Sequence, residues 1–333
     1  MGTGGIITPA IKYAKFSISR RGGAGCPPRR APRSAFTRTG IGIFDGRLNN
    51  DMKKEDDRMI PFEVDQKKCN RDGLCVEECP ARIIRLDTKD DLPVPEGDFK
   101  SFCIQCGHCV AVCPTGAFRL NWLGPDQCPP AVKELQLTRQ QAEQFLRSRR
   151  SIRTFKEKTV ERAKLEKLLE MACYAPSAKN NQPWHWTVVE SPAEVRRLAG
   201  LVIDYMRRFI AEKPKAAALL SFTRVVAAWD MGLERICRGA PHVIVAHADK
   251  NWGFGAEDTA LALSYLELYA PVLGLGTCWA GYFYSAVNAH PPLFEALKLP
   301  GKHKAFGAMM VGYPTFRYQR LVPRKPPKVD WIS

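Results

Sequence analysis

The stretch KKCNRDGLCVEECP, Lys67 to Pro80, places three cysteines as Cys69-x5-Cys75-x3-Cys79-Pro80, with Asp72 in the middle of the longer gap. Further along, CIQCGHCVAVCP, Cys103 to Pro114, repeats the pattern with a cysteine where the first copy has Asp72. The echo runs past the cysteines. CVEECPARIIRL in the first copy answers CVAVCPTGAFRL in the second, and each ends in a short apolar piece, Ile83-Ile84 and Ala117-Phe118, that reads as a strand. Two matched halves therefore build one small unit, expected over residues 59–122.

The second copy is complete: Cys103-x2-Cys106-x2-Cys109-x3-Cys113-Pro114. This is the spacing of bacterial [4Fe–4S] ligation, in which three close thiolates wrap one face of a cubane and the fourth serves another cluster. Zinc is a weaker competitor, because paired CxxC knuckles need neither the third and fourth cysteines nor the proline. In the first copy two residues separate Asp72 from each flanking cysteine, so the register is intact and only the ligand atom changes. A carboxylate is a harder donor than a thiolate and holds cluster iron more weakly. Three readings stay open: a [4Fe–4S] cluster with an aspartate ligand, a [3Fe–4S] cluster that has lost the corner iron, or an Asp72-Gly73 turn with no cluster.

These seven cysteines make the unit similar to two-cluster bacterial ferredoxins. The resemblance implies one cluster on Cys103, Cys106, Cys109 and Cys79. It implies a second on Cys69, Cys75 and Cys113, with Asp72 in the remaining corner. Cys26, Cys128, Cys173, Cys237 and Cys278 lack ligand spacing, and Cys173 and Cys278 read as core residues.

The rest of the chain bounds the class. With 333 residues the chain is expected to hold about two domains, and 45% hydrophobic residues fill a sizeable core. The net charge of +16 suggests nucleic acid, but residues 1–51 hold nine Lys/Arg against two Asp and carry much of the excess, so no nucleic-acid partner is expected. No apolar run reads as a membrane span; the nearest, Leu268 to Val287, is broken by Pro271 and three glycines. Cysteines at metal-ligand spacing suit a reducing, low-oxygen compartment, and a cytoplasmic location is expected. Residues 1–58 read as a basic, disordered leader, or as sequence upstream of the true start, with Met52 and Met59 as candidate starts. The SRR at Ser19–Arg21 has no apolar stretch after it and fails as an export signal.

Residues 123–137, with three prolines and a glycine in GPDQCPPAVKE, read as a linker. Residues 138–333 read as an α+β domain. Thr138 is placed to cap a helix with Ala142, Phe145 and Leu146 inward. A second helix follows Thr159, with Leu165, Leu168, Leu169 and Ala172 on one face. WHWTVVE, HVIVAHA and FGAMMVG read as buried strands, and a long apolar helix, Glu257 to Leu273, lies between the last two.

Three segments of this domain carry chemistry. RRSIRTF (Arg149–Phe155) gathers guanidinium forks and a hydroxyl suited to a phosphate. APSAKNNQPWHW (Ala175–Trp186) brings a hydroxyl, an ammonium and three side-chain amides into one loop. GLGTCWAGYF (Gly274–Phe283) sets glycines where backbone can approach a flat ring. In this order and spacing they resemble the nitroreductase family of FMN enzymes.

The resemblance implies a sandwich that binds FMN at a homodimer interface. It implies that Arg149, Arg150 and Ser151 hold the phosphate and ribityl end, with a basic residue of RLVPRKPP completing the phosphate site: Arg320, Arg324 or Lys325, of which Arg324 is favoured. Arg153 would reach the pyrimidine edge, where a cation favours the charge that develops on reduction. Ser177, Asn180 and Gln182 would bond the ribityl chain and ring edge, and backbone amides at Ala280 and Gly281 would face flavin N5. Lys179 and Asn181 depart from the small hydroxylic residues of the best-known members. No catalytic side chain is assigned, since the chemistry is the flavin's. Phe222, Trp229 and Trp252 are candidates for stacking on an acceptor, or are core. The whole reads as an oxidoreductase that passes electrons through ferredoxin clusters to FMN and on to a nitroaromatic, quinone or activated alkene. The donor would be a ferredoxin or NAD(P)H. Alternatives are an adaptor that delivers electrons to a protein partner, or a NAD(P)H-dependent nitroreductase with a structural ferredoxin unit.

Overall fold

The computed structural model describes residues 61–332, so the expected leader, its candidate starts and Cys26 lie outside the described residues. The cysteine repeat folds as two short hairpin-like sheets joined by single-turn helices. Strand β1 (Phe62–Val64) pairs antiparallel with β4 (Phe118–Leu120), and β2 (Ile84–Arg85) with β3 (Val94–Pro95). Between them lie α1 (Leu74–Glu77), α2 (Phe99–Phe102) and α3 (His108–Ala111). The strand pieces start one residue later than expected, while Ile83 and Ala117 are still buried.

The repeat is carried by the backbone as well as by the letters. Gly73 and Gly107 cap α1 and α3 with φ of 75° and 72°, a left-handed conformation that glycine adopts without steric cost. Arg71 and Gln105 hold equivalent places in the two halves and share φ of 59° and 53°. The Phe62 ring lies tilted against Phe99 and Phe118, with centroids 5.4 and 4.6 Å away, in the core between the halves. The start of the expected linker is docked on it, since Cys128 packs against this core.

The larger part is an α+β sandwich around a four-stranded antiparallel sheet of order β5-β6-β8-β7. Its elements in chain order are α4 (Arg139–Ser148), α5 (Arg162–Ala172), β5 (His185–Val189), α6 (Pro192–Glu212), α7 (Pro214–Leu219), α8 (Phe222–Asp230), β6 (His242–Asp249), α9 (Gly255–Tyr269), β7 (Gly276–Trp279), α10 (Gly281–Val287), α11 (Pro291–Ala296) and β8 (His303–Gly312). β6 is buried on both faces, which explains its unbroken apolar run. Val243 and Val245 enter the core shared with α6, α8 and α10, and Ile244 and Ala246 enter the core shared with α5 and α9. Each fully buried leucine there, such as Leu168, Leu263 and Leu266, contributes about 1.5–3 kcal/mol. The 151–153 segment joins the sheet edge beside β7, with Ser151 bridged to Thr277 and Ile152 N–H donating to Thr277 O at 2.8 Å.

Three local expectations need correction. Thr138 does cap α4, exchanging hydrogen bonds with Gln141, but no residue of α4 is buried: Ala142 and Phe145 are half-buried and Leu146 is 59% exposed. The apolar stripe is only partly covered by this chain. Cys173 is exposed, because α5 ends at Ala172 and the C-cap turn carries Cys173 off the buried stripe. Cys278 is buried as expected. The long helix ends at Tyr269 and continues as a 3-10 turn through Leu273, since Pro271 cannot donate to the α ladder. Among the described residues no helix is long and apolar enough to cross a membrane.

Candidate functional site

Two small cavities open in the cysteine repeat. One is bordered by Cys69, Asp72, Cys75 and Cys113 together with Arg71, Val64 and Phe118. The other is bordered by Cys79, Cys103, Cys106 and Cys109 together with Ile104 and Ile84. Each half thus lends one cysteine to the other's site, as the motif pairing requires. No three His, Cys, Asp or Glu side chains among the described residues converge closely enough to hold a single metal ion. The four donors of each set line one cavity.

The thiols converge on each cavity, with Arg71 at the border of the first. Burial, then the neighbouring Cys113, Cys69 and Asp72, push Cys75 up to about 11. Burial, then Cys106, Cys103 and Cys79, push Cys109 up to about 12. Such groups ionise when cluster iron supplies the missing positive charge. Cys113 goes the other way. Burial raises it, but the Thr115 hydroxyl and the backbone N–H groups of Phe118 and Ala117 together pull its thiol down. Asp72 Oδ1 accepts from Leu74 N–H at 3.1 Å, so the carboxylate closes a turn while the residue also borders the cavity.

In the larger part, the arginine segment is divided in its duties. Arg149 Nη1 donates to Glu267 Oε1 at 2.7 Å, and Glu267 is buried on α9. Arg150 Nη1 donates to the carbonyls of Arg149 and Arg147, at 2.7 and 2.9 Å. Its Nε and Nη2 are buried with no partner. Those two nitrogens form one fork of the guanidinium, the edge that grips a phosphate bidentately. Leaving them bare costs about 1–3 kcal/mol per group, so an FMN phosphate fits here on chemical grounds. Tyr318 of the C-terminal segment lies against Arg150, its ring centroid 6.0 Å from the guanidinium carbon. Arg324 is exposed in that same segment.

Arg153 Nη1 donates to Ser151 O at 3.3 Å, and the Arg153 charge reaches the buried Cys278 thiol on β7. Burial raises that thiol, while Arg153 and Arg238 draw it back. The close approach of this segment to β7 depends on Gly276, where a Cβ would meet Ile152 Cγ1 at 2.5 Å. Of the two amides expected to face the flavin, Ala280 N–H is already committed to Ala308 O at 2.8 Å. Gly281 opens α10, where the first N–H groups lack intrahelical partners, and the space around its Cα is open.

The amide-rich loop is braced by α9. Ala178 N–H donates to Asp258 Oδ1 at 2.8 Å, and Trp252 Nε1 donates to Asp258 Oδ2 at 2.8 Å. Within the loop, Gln182 N–H donates to Ser177 Oγ at 2.9 Å and Gln182 Nε2 to Asn180 Oδ1 at 3.2 Å. Lys179, Asn180 and Gln182 all sit in the left-handed region, with φ of 54°, 53° and 43°. Asn180 Nδ2 points away from the arginine cluster's duties altogether and donates to Gln105 O and Ile104 O. The stacking candidates are structural: Phe222 is core, Trp229 packs on the core under Arg196, and Trp252 is tied to Asp258.

Asp258 and Glu267 were missed from sequence. Glu267 had a signal, being an acid inside the apolar helix stretch LSYLELYAP, where a buried carboxylate demands a partner. Asp258 had none, since an acid in a helix's first turn is ordinary.

Residues 146–313 match the pattern described as the nitroreductase family, and residues 67–118 match that of a 4Fe-4S dicluster domain. A protein of Archaeoglobus fulgidus, named for NADH dehydrogenase/NAD(P)H nitroreductase activity, is 27% identical over 167 residues, covering 50% of this chain and 82% of its own. A Methanothermobacter thermautotrophicus protein named in the same terms is 24% identical over 169 residues, covering 51% and 75%. A solved nitroreductase with bound FMN from Desulfitobacterium hafniense DCB-2 is 22% identical, with a TM-score of 0.46, over 56% of this chain and 97% of that one.

Proposed function

This chain belongs to the nitroreductase family of FMN-dependent oxidoreductases, with a 4Fe-4S dicluster domain on its N-terminal side, and from that premise we propose that it takes electrons in through the iron–sulfur unit and delivers them by way of FMN to a small organic acceptor. The observation that carries the reading is the pair of four-donor cavities, with their crossed cysteines, in the chain that also holds a buried unpaired arginine fork. When bound, two clusters exchange single electrons and FMN accepts a pair.

The chain's own residues supply binding, charge and orientation. Arg150 anchors the phosphate through its free fork, helped by Ser151 and by Arg324 from the C-terminal segment. Arg149, held by Glu267, fixes the segment. Arg153 lends positive charge where a reduced flavin ring gathers negative charge. Ser177 and Gln182 bond the ribityl chain and ring edge, and Gly281 N–H faces the ring. Cys79, Cys103, Cys106 and Cys109 hold one cluster. Cys69, Cys75, Cys113 and Asp72 would hold the other, with the Asp72 carboxylate a harder and weaker donor for its corner iron than a thiolate. A homodimer covers the half-exposed stripe of α4. The acceptor is a nitroaromatic, a quinone or an activated alkene.

An anaerobic titration of cluster-replete protein, followed by flavin absorbance, tests the route. Bleaching with reduced ferredoxin but not with NADH or NADPH is the expected result. Rapid stoichiometric bleaching with NADH or NADPH refutes an obligatory route through the clusters and favours the activity for which the archaeal relatives are named.

A further inference from the structure

The loop assigned to the flavin is hydrogen-bonded to the ligand loop of one cavity. Asn180 Nδ2 donates to Gln105 O at 3.0 Å and to Ile104 O at 3.3 Å. Both carbonyls lie between Cys103 and Cys106, and Ile104 lines the second cavity. From Asn180 the contacts continue inward, through Gln182 Nε2 to Asn180 Oδ1 and from Gln182 N–H to Ser177 Oγ. An unbroken chain of hydrogen bonds therefore runs from a cluster-ligand loop to the flavin loop.

Backbone strain falls on the flavin side of this contact. The left-handed φ of Gln105 says little, because Arg71 shares it at the equivalent place in the first half and it belongs to the ligand loop itself. Lys179, Asn180 and Gln182 have no such excuse. Three non-glycine residues in that region within four positions is uncommon, Asn tolerating it best, and such residues persist where surrounding contacts over-determine the conformation. Here those contacts are Asp258 on one side and the Ile104–Gln105 carbonyls on the other. A mere docking contact would need any one polar side chain. Asn180 has both ends of its amide engaged, with its N–H groups spent on consecutive carbonyls of a ligand loop.

We propose that Asn180 is the positioning residue that couples the two units: it holds the Cys103–Cys106 loop against loop 175–182. The cluster on Cys79, Cys103, Cys106 and Cys109 is thereby the one that hands electrons to the flavin, and the Asp72 site is the outer, receiving one. Electron-transfer rates fall exponentially with gap, so a contact that fixes the gap governs the rate. Each turnover draws two electrons, one at a time, from a reduced low-potential iron–sulfur donor protein, which is oxidised. Two protons come from water as the organic acceptor is reduced. The inference rests on the electron-entry reading above.

The test compares wild-type holoenzyme with Asn180→Ala and with the isosteric non-donor Asn180→Asp. It uses hydrogen exchange of residues 103–109, FMN affinity by fluorescence, cluster EPR, and stopped-flow flavin bleaching by reduced ferredoxin. The expected result is exchange at 103–109 at least threefold faster in both variants, unchanged cluster spectra, FMN affinity within threefold, and bleaching at least tenfold slower. Unchanged exchange with a tenfold loss of FMN affinity makes Asn180 a flavin ligand and overturns the proposal, as does wild-type bleaching from a loosened loop. If wild-type holoenzyme itself fails to bleach with reduced ferredoxin, the electron-entry reading falls and takes the exit cluster with it. The exchange comparison then still decides whether Asn180 holds the ligand loop.

Discussion

Replacing Arg150 with leucine separates FMN binding from folding. In the folded chain the Arg150 fork formed by Nε and Nη2 is buried and bare, while Nη1 is satisfied by two carbonyls. A phosphate on that fork makes two charge-assisted hydrogen bonds, each worth about 1.5–3 kcal/mol. Losing both removes roughly 3 kcal/mol or more, which is about a hundredfold in Kd at 1.4 kcal/mol per tenfold. Without FMN the ledger is close to balanced. The variant loses two neutral-acceptor bonds but also sheds two buried N–H groups that had no partner, so its stability should change by about 1 kcal/mol or less. The contrast appears in thermal unfolding. FMN at a hundred times the wild-type Kd stabilises the wild type by about 2.7 kcal/mol, and a variant bound a hundredfold more weakly gains only about 0.4 kcal/mol at the same concentration. Fluorescence titration of FMN-depleted protein gives the two Kd values, and melting with and without FMN gives the stabilities. Binding within threefold of wild type would refute the assignment of Arg150 as the phosphate anchor.

Three further outcomes are expected. Burial first, then His303 and His185, lower His247 to about 4 from 6.5. The folded state thus binds fewer protons, and the contribution of His247, full above pH 6.5, is lost as pH falls toward 4; the wild-type stability advantage over His247→Gln should shrink by on the order of 2–3 kcal/mol across that window, as read from denaturant melts. Asp72→Cys should hold all four corner irons of its cluster after mild oxidation while the wild type loses one, measured by iron analysis and EPR; equal iron retention would dismiss the labile corner. Gly276→Ala places a Cβ 2.5 Å from Ile152 Cγ1 and should cost about 1–3 kcal/mol by overpacking, with weaker FMN binding as the 151–153 segment shifts; an unchanged melting temperature and Kd would show that the approach is not tight.

The legibility of the chain follows the range of the interaction concerned. The ligand loops could be read because a cubane demands thiolates at short fixed spacing, and left-handed Gly73 and Gly107 belong to that same local geometry. Buried β6 could be read because a strand covered on both faces is apolar at every place. The inward reading of Leu146 failed because periodicity gives a helix its apolar face but not something to cover it. Cys173 failed for a related reason: an apolar neighbourhood in sequence ends where the helix does.

The sequence by itself determined the iron–sulfur repeat, the family of the larger part and the three segments proposed to carry its chemistry, since each is encoded in residue type and spacing along one short piece of chain. Only the tertiary structure decided how those segments are shared out. Arg149 is taken by Glu267, a hundred and more positions away, leaving Arg150 with the free fork. Ala280 N–H goes to Ala308, and Asn180 turns to the carbonyls of Ile104 and Gln105. A donor's partner is settled by which groups packing brings within 3 Å of it and shields from water, and that information lies in no single stretch of the chain.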